Sequence, residues 1–573
     1  MKKILSFFLF LCCFVSLPIY ALESDINDSN DTVIFGEITA NDVFASIYEA
    51  DIKSLREALQ LGLITSSKLT EIYLERIEEF GGAKKCFITL CDNALEEAGK
   101  RDEVLQNGEG DGLLFGIPVV VKDNIEYEGY PTTNGYKKDG TVSDTNAKIV
   151  QYLLEEGAVI LGKTNMSTAA QEARITISKA VGETTNAYSF EMASGGSSGG
   201  TAVSVSLNLA AAGLGTDTNS SLRYPAVLNG CVSMRSTFAL VSTDGCIQLN
   251  SKRDVAGAIT RTVYDQALML DVITGGQYSF TENLNVDALK GVRLGIIKEL
   301  SYAYGSSTRS SKYIDSEIQD AFANAVAELR ACGAEVIEVS FPRIFSLSSA
   351  CSKNSASAID KYYSAYEKVL VDNNLSAFIF PSYITAPLYT GVNENGGLLV
   401  YDQTSTTNFS IVSPPLGIPE IAVPIGFHSR KSGIGIEFAG LRSEDQHILD
   451  LAYSYAMRYD HRTVPEYAEN LYGDADISLS EIIKEYKAYL WLSTSEAGTD
   501  APESADSATI SDIAESTGNF SENDADGKPF SKLLIVAIIL LIAILFFIIF
   551  LKLRNDAIRR RRRRMRRNGY RRR

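Results

Sequence analysis

Apolar positions fall into three patterns along the chain. Between residues 42 and 80 they recur at helical spacing in two segments, broken near Leu61-Gly62, with Thr65-Ser66-Ser67 able to cap the second. Residues 113–121 and 158–161 are instead short apolar runs, the pattern of buried strands; Val292-Arg-Leu-Gly-Ile-Ile297 reads likewise, and residues 316–332 return to helical spacing. Strands alternating with helices predict an α/β fold, a mixed or mostly parallel β-sheet core covered by helices, over residues 22–493 with its core at about 38–493. The third pattern lies at the two ends. Residues 533–551 are uninterrupted apolar sequence, long enough to span a bilayer as one C-terminal transmembrane helix. Ile4 to Val15 form a shorter apolar run behind Lys2 and Lys3, with Ile19-Tyr20-Ala21 as a cleavage site, so residues 1–21 are expected to be a signal peptide.

Charge sharpens this topology. The net charge of −17 conceals a tail, 552–573, that carries +12, and Lys2 and Lys3 add two more, leaving 22–551 near −31. An arginine-rich tail after an apolar span is held in the cytoplasm. The expectation is therefore a single-pass cell-membrane protein whose main domain is extracytoplasmic. Residues 494–532, rich in Glu, Asp, Ser, Thr, Ala and Gly, have too little apolar surface to offset ordering entropy and are expected to be an acidic flexible stalk. A body this acidic repels phosphate backbones, so the main domain is not expected to bind nucleic acid. Six cysteines remain beyond the signal, Cys86, Cys91, Cys231, Cys246, Cys332 and Cys351, which leaves disulfides and buried thiols both open. Neither they nor His428, His447 and His461 have metal-ligand spacing, so no metal is expected.

The most unusual segment is Ala193-Ser-Gly-Gly-Ser-Ser-Gly-Gly-Thr-Ala202, followed by an expected small-residue helix at 202–212 and then by Gly215-Thr-Asp-Thr-Asn-Ser-Ser-Leu-Arg223. Glycines around two serines allow close backbone approach to a ligand. A flexible linker is not expected between two hydrophobic elements. A phosphate loop requires Lys-Ser or Lys-Thr after the glycines, where this chain has Thr201-Ala202. What remains is a serine site, and a serine needs a base. The histidines lack catalytic context, but a lysine serves once burial lowers its pKa from about 10.4 to about 7–8, roughly 4 kcal/mol of differential destabilisation. Lys122 ends the apolar run Val119-Val-Val121 and is either that base or a strand-end lysine reaching solvent.

Four ordered segments, Gly116-Ile-Pro-Val-Val-Val-Lys-Asp-Asn124, Gly162-Lys-Thr-Asn-Met-Ser167, Gly195-Gly-Ser-Ser-Gly-Gly200 and the Gly215–Arg223 stretch, together resemble the amidase signature family. The likeness runs from about Asp42 to about Tyr489 and includes residues 413–426. The resemblance implies Lys122 as the base, Ser197 as the middle serine behind a cis peptide bond from Gly196, and Ser221 as the nucleophile. The family's interval between its serines leads from Ser197 to Ser221 and not to Ser220. It also implies an oxyanion site on the backbone around Thr218, Asn219, Ser220 and Ser221, support from Asp217 and Arg223, and a hydrogen bond from Ser198 near the base. Lys163, in its Gly-Lys-Thr-Asn context, is given no proton transfer. No metal or organic cofactor is implied. Many members have Gly-Gly before the nucleophile where this chain has Asn219-Ser220; the backbone N–H groups remain available, and the side chains are expected either to narrow the acyl pocket or to shift the loop.

The function expected is hydrolysis of the carboxylic amide bond of a small-molecule or peptide-like substrate by an exported, membrane-anchored amidase. Two alternatives stay open: an inactive surface receptor or scaffold retaining the fold, and the glutaminase subunit of a tRNA-dependent amidotransferase. Tyr383-Ile384-Thr385 are pocket candidates that sequence does not rank, and neither substrate nor oligomeric state is legible.

Overall fold

The apolar runs become strands of one eleven-stranded sheet in the computed structural model, which describes residues 33–137, 140–302, 315–390 and 408–496, with side chains to 491. In chain order these strands are β1 Phe87–Leu90, β2 Pro118–Lys122, β3 Val159–Thr164, β4 Ala212–Asp217, β5 Val232–Arg235, β6 Val255–Thr260, β7 Arg293–Ile297, β8 Glu335–Val339, β9 Ala377–Pro381, β10 Glu420–His428 and β11 Ser432–Ala439. Across the sheet they run β8-β7-β9-β11-β10-β5-β6-β4-β2-β3-β1. The joins of β2 with β3 and β4, and of β7 with β8 and β9, are parallel, and the other six are antiparallel. The sheet is therefore mixed, one of the two expected forms. Strands β2 and β9, each in a parallel join, are buried at every position, as their apolar sequences require.

The opening helical segments are helices Ala40–Ser46, α1 Ile52–Gln60 and α2 Ser66–Arg76. The break falls at Gly62, whose φ of +68° suits glycine, and the Thr65 side chain caps α2 by accepting from the Lys68 N–H. The expected strand at 113–121 begins only at Pro118, because Gly116, at φ +75°, turns the chain first. The helix expected over 202–212 is displaced. Helix α3 spans Gly199–Ser206, and the apolar residues that follow lead into β4 at Ala212. Residues 316–332 form helix Ser316–Ala331, as the spacing predicts.

The six cysteines are free, five of them buried and Cys246 half-buried. The terminal helix Leu479–Glu496 runs into the start of the expected stalk. The rest of that stalk, the signal peptide at 1–21, the span at 533–551 and the tail at 552–573 lie outside the described residues. Among the described residues no helix is long and apolar enough to cross a membrane.

Candidate active site

Strand β2 lies between two parallel neighbours, and its Val119, Val120 and Val121 are fully buried. Lys122 continues that strand, and its side chain is as buried as the valines before it. It does not reach solvent. Over it lies the Gly-Ser loop. Gly195 has φ +71°, and a Cβ on Gly196 would stand 2.5 Å from the Ile175 carbonyl oxygen. The Thr176 hydroxyl donates to the Gly195 carbonyl (2.8 Å) and accepts from the Gly199 N–H (2.9 Å). Glycine here permits close packing of backbone, the opposite of a flexible linker. The Gly196–Ser197 peptide bond is cis.

Lys122 Nζ lies 2.8 Å from Ser197 Oγ, 2.9 Å from Thr216 Oγ1 and 3.4 Å from the Thr216 carbonyl oxygen. A neutral amine has two N–H donors and one lone pair. Thr216 supplies two acceptors, which leaves the third direction for the Ser197 hydroxyl. Burial lowers the Lys122 pKa from 10.5 to about 7 and outweighs the carboxylates of Asp217 and Asp254, which act to raise it. Asn124 donates to Thr216 Oγ1 (3.1 Å), and Ser198 Oγ donates to the same Thr216 carbonyl (3.4 Å). Lys163 is also buried and lowered by burial to about 8, but its Nζ donates to Thr132 Oγ1 (2.8 Å) and the Pro131 carbonyl (3.3 Å). Lys84 is lowered by burial to about 8 as well, and its Nζ donates to the Asn186 carbonyl (2.6 Å). Of these three depressed lysines, the one on a serine is Lys122.

Ser221 sits in the turn between β4 and helix α4, Arg223–Leu228, and is 5% exposed. Among the described residues its hydroxyl makes no hydrogen bond, so Ser197 and Ser221 are not joined; such contacts commonly close only around a substrate. The backbone N–H groups of Thr218, Asn219, Ser220 and Ser221 donate to no acceptor among the described residues. Four consecutive free donors beside a buried hydroxyl suit a developing anion. The Asn219 side chain points out to solvent, while Ser220 is buried.

The loop is held by a fully buried ion cluster. Arg223 Nε donates to Asp217 Oδ2 (3.2 Å), its Nη1 pairs with Glu420 and lies 3.6 Å from Glu437, and its Nη2 donates to the Asn219 carbonyl (3.0 Å). Arg235 Nη1 lies 3.3 Å from Asp217 Oδ1. Burial pushes the Asp217 carboxyl up, but Arg223 and Arg235 outweigh it and hold it below the usual range. Three carboxyls face two guanidiniums. Burial, with the Glu420 charge beside it, raises the Glu437 carboxyl well above the usual range, and its Oε2 has no hydrogen-bond partner among the described residues.

Of the residues singled out in the sequence, Lys122, Ser197 and Ser198 meet around Thr216, and Asp217 and Arg223 brace the loop of Thr218, Asn219, Ser220 and Ser221. Sequence reasoning missed Thr216, Asn124, Arg235, Glu420 and Glu437. Thr216 and Asn124 stand inside the quoted motifs, but neither is a proton-transfer residue type. Tyr383 is buried, and its hydroxyl donates to the Gly433 carbonyl at 2.5 Å.

The family model described as Amidase matches residues 68–374, more than half of the chain. The chain is 35% identical to the A subunit of the glutamyl-tRNA(Gln) amidotransferase of Thermoanaerobacter pseudethanolicus, over 52% of this chain and 61% of that protein. It is 29% identical to the protein of the same name from Caldanaerobacter subterraneus subsp. tengcongensis, over 73% of this chain and 98% of that one. The native peptide amidase of Stenotrophomonas maltophilia superposes with a TM-score of 0.61 and 26% identity, over 74% of this chain and 99% of that one. The corresponding amidotransferase A subunit of Thermotoga maritima, at 24% identity and TM-score 0.62 over 74% and 98%, shares the fold.

Proposed function

The chain belongs to the amidase family and is an amide hydrolase, and from that premise we propose that it works through an acyl-enzyme on Ser221. Neutral Lys122 takes the Ser197 proton as Ser197 takes that of Ser221, and Ser221 Oγ attacks the amide carbonyl carbon. The resulting oxyanion is received by free N–H groups within Thr218–Ser221, one such donor being worth about 10²–10³ in rate. The C–N bond then breaks, the proton returns from Lys122 through Ser197 to the leaving amine, and water hydrolyses the ester to release the acid and free Ser221. The observation that supports this most is the 2.8 Å contact between a fully buried Lys122 Nζ and Ser197 Oγ.

Two settings for this chemistry are proposed, and different observations favour them. The names of the curated relatives favour a glutaminase component working with protein partners. The apolar runs at 4–15 and 533–551 favour an exported, membrane-anchored amidase with the body outside the cell. A panel assay with the purified full-length chain separates them. It would follow ammonia or amine release from glutamine, simple amides, anilides and peptide amides. Turnover that disappears in Ser221→Ala is expected. A well-folded chain that hydrolyses none of them overturns the proposal. Turnover of glutamine alone selects the glutaminase reading, and protection of the body from protease added to intact cells rules out the extracytoplasmic placement.

A further inference from the structure

Arg253 precedes β6 and brings a guanidinium to the nucleophile loop. Its Nη1 lies 3.3 Å from Asn219 Oδ1, its Nε donates to Asn354 Oδ1 (2.8 Å) and its Nη2 to the Cys351 carbonyl (2.5 Å). The anchor is well formed, since Asn354, at φ +52°, also donates to Asn250 Oδ1 (3.3 Å). A guanidinium has five N–H donors in a planar fork. Three are taken by these neutral acceptors, and one remains on each Nη. Among the described residues Arg253 pairs with no carboxylate. Arg223, which also touches this loop, is already matched to buried carboxyls. The Asn219 Nδ2 likewise has no acceptor among the described residues and stands at the exposed edge of the loop. A planar fork with two free N–H groups beside a free side-chain amide is the donor set that a carboxylate accepts from.

We propose that Arg253, with the Asn219 side-chain amide, binds a carboxylate on the substrate, so that the preferred substrate is an amide bearing an acidic group near the scissile bond. This rests on the amide-hydrolase reading above. Burial without a counter-ion holds the Arg253 pKa below its ordinary value, a cost that an incoming carboxylate would relieve. The bland alternative is a strut that ties the 219 loop to the 351–354 turn.

The experiment uses paired amides of matched size with the full-length chain. Pentanamide against glutaric acid monoamide tests the acyl side, and butyranilide against its para-carboxylate tests the leaving-group side. A preference of about ten- to hundredfold in kcat/KM for the acidic member of at least one pair is expected, as for a hydrogen bond to a charged group. In Arg253→Gln that ratio should collapse through KM, and Arg253→Lys should keep part of it. Thermal melting and fluorophosphonate labelling of each variant report whether the fold and nucleophile are intact. Preference for the neutral member in both pairs overturns the proposal. So does an Arg253→Gln chain that labels normally yet loses both members by the same factor, the mark of a strut. A wild-type chain that neither labels nor hydrolyses either member overturns the amide-hydrolase reading itself, and this proposal with it.

Discussion

Lys122 is where the account can be tested by titration. Burial moves its pKa from 10.5 to about 7, a differential destabilisation of the ammonium of about 5 kcal/mol. At pH 7 about half of the molecules then hold a neutral base, against roughly one in 3,000 for an unshifted lysine. The folded-state pKa is depressed, so the neutral form accumulates as pH rises through about 7 and is lost below it. The second-order rate of fluorophosphonate labelling should therefore climb about tenfold per pH unit up to about 7 and level off above it. Lys122→Ala should slow labelling by about 10²–10⁴ and flatten that limb. Lys163→Met should leave the limb in place, because Lys163 is bonded to Thr132 and touches neither serine. A limb centred near pH 10, or one that survives in Lys122→Ala, would refute the reasoning.

Thr216→Val removes the acceptor at 2.9 Å from Lys122 Nζ and the partner of Asn124. It should lower kcat by about ten- to hundredfold and move the acid limb to lower pH, because an acceptor favours the ammonium; Thr216→Ser should retain most activity. The ion cluster predicts opposite results at two of its members. Arg223→Met strands Glu420 without its buried partner, leaves Asp217 with Arg235 alone, and should cost about 3–5 kcal/mol in urea unfolding. Glu437→Gln puts a neutral side chain of the same size where burial and the Glu420 charge disfavour the anion, and should cost under about 1 kcal/mol.

Residue type and local pattern exposed the parts of the site that depend on them. The buried run before Lys122 and the glycines around Ser197 were readable because β2 is covered on both faces and the loop admits no side chains. The assignment of Ser221 over Ser220 came from the family interval, not from chemistry; both serines are buried in the same turn. Of the supporting cluster, Asp217 and Arg223 stood in a quoted motif, but Arg235, Glu420 and Glu437 were not readable. Arg223 meets Glu420 across 197 positions of sequence, and nothing local marks a carboxyl that will be buried there. The misplaced end of α3 has a different cause. Residues 207–212 are mostly small and apolar, a composition that suits a helix end or a buried strand, and the sheet position beside β2 and β6 decides between them.

The claim on which everything else depends is that Ser221 is the nucleophile. Peptide mapping of the fluorophosphonate-labelled chain addresses it directly, because Ser197, Ser220 and Ser221 are resolved by fragmentation. The adduct should sit on Ser221 and be absent from Ser221→Ala, with Ser220→Ala still labelled. An adduct on Ser197 or Ser220 in the wild-type chain, or undiminished labelling of Ser221→Ala, would contradict it.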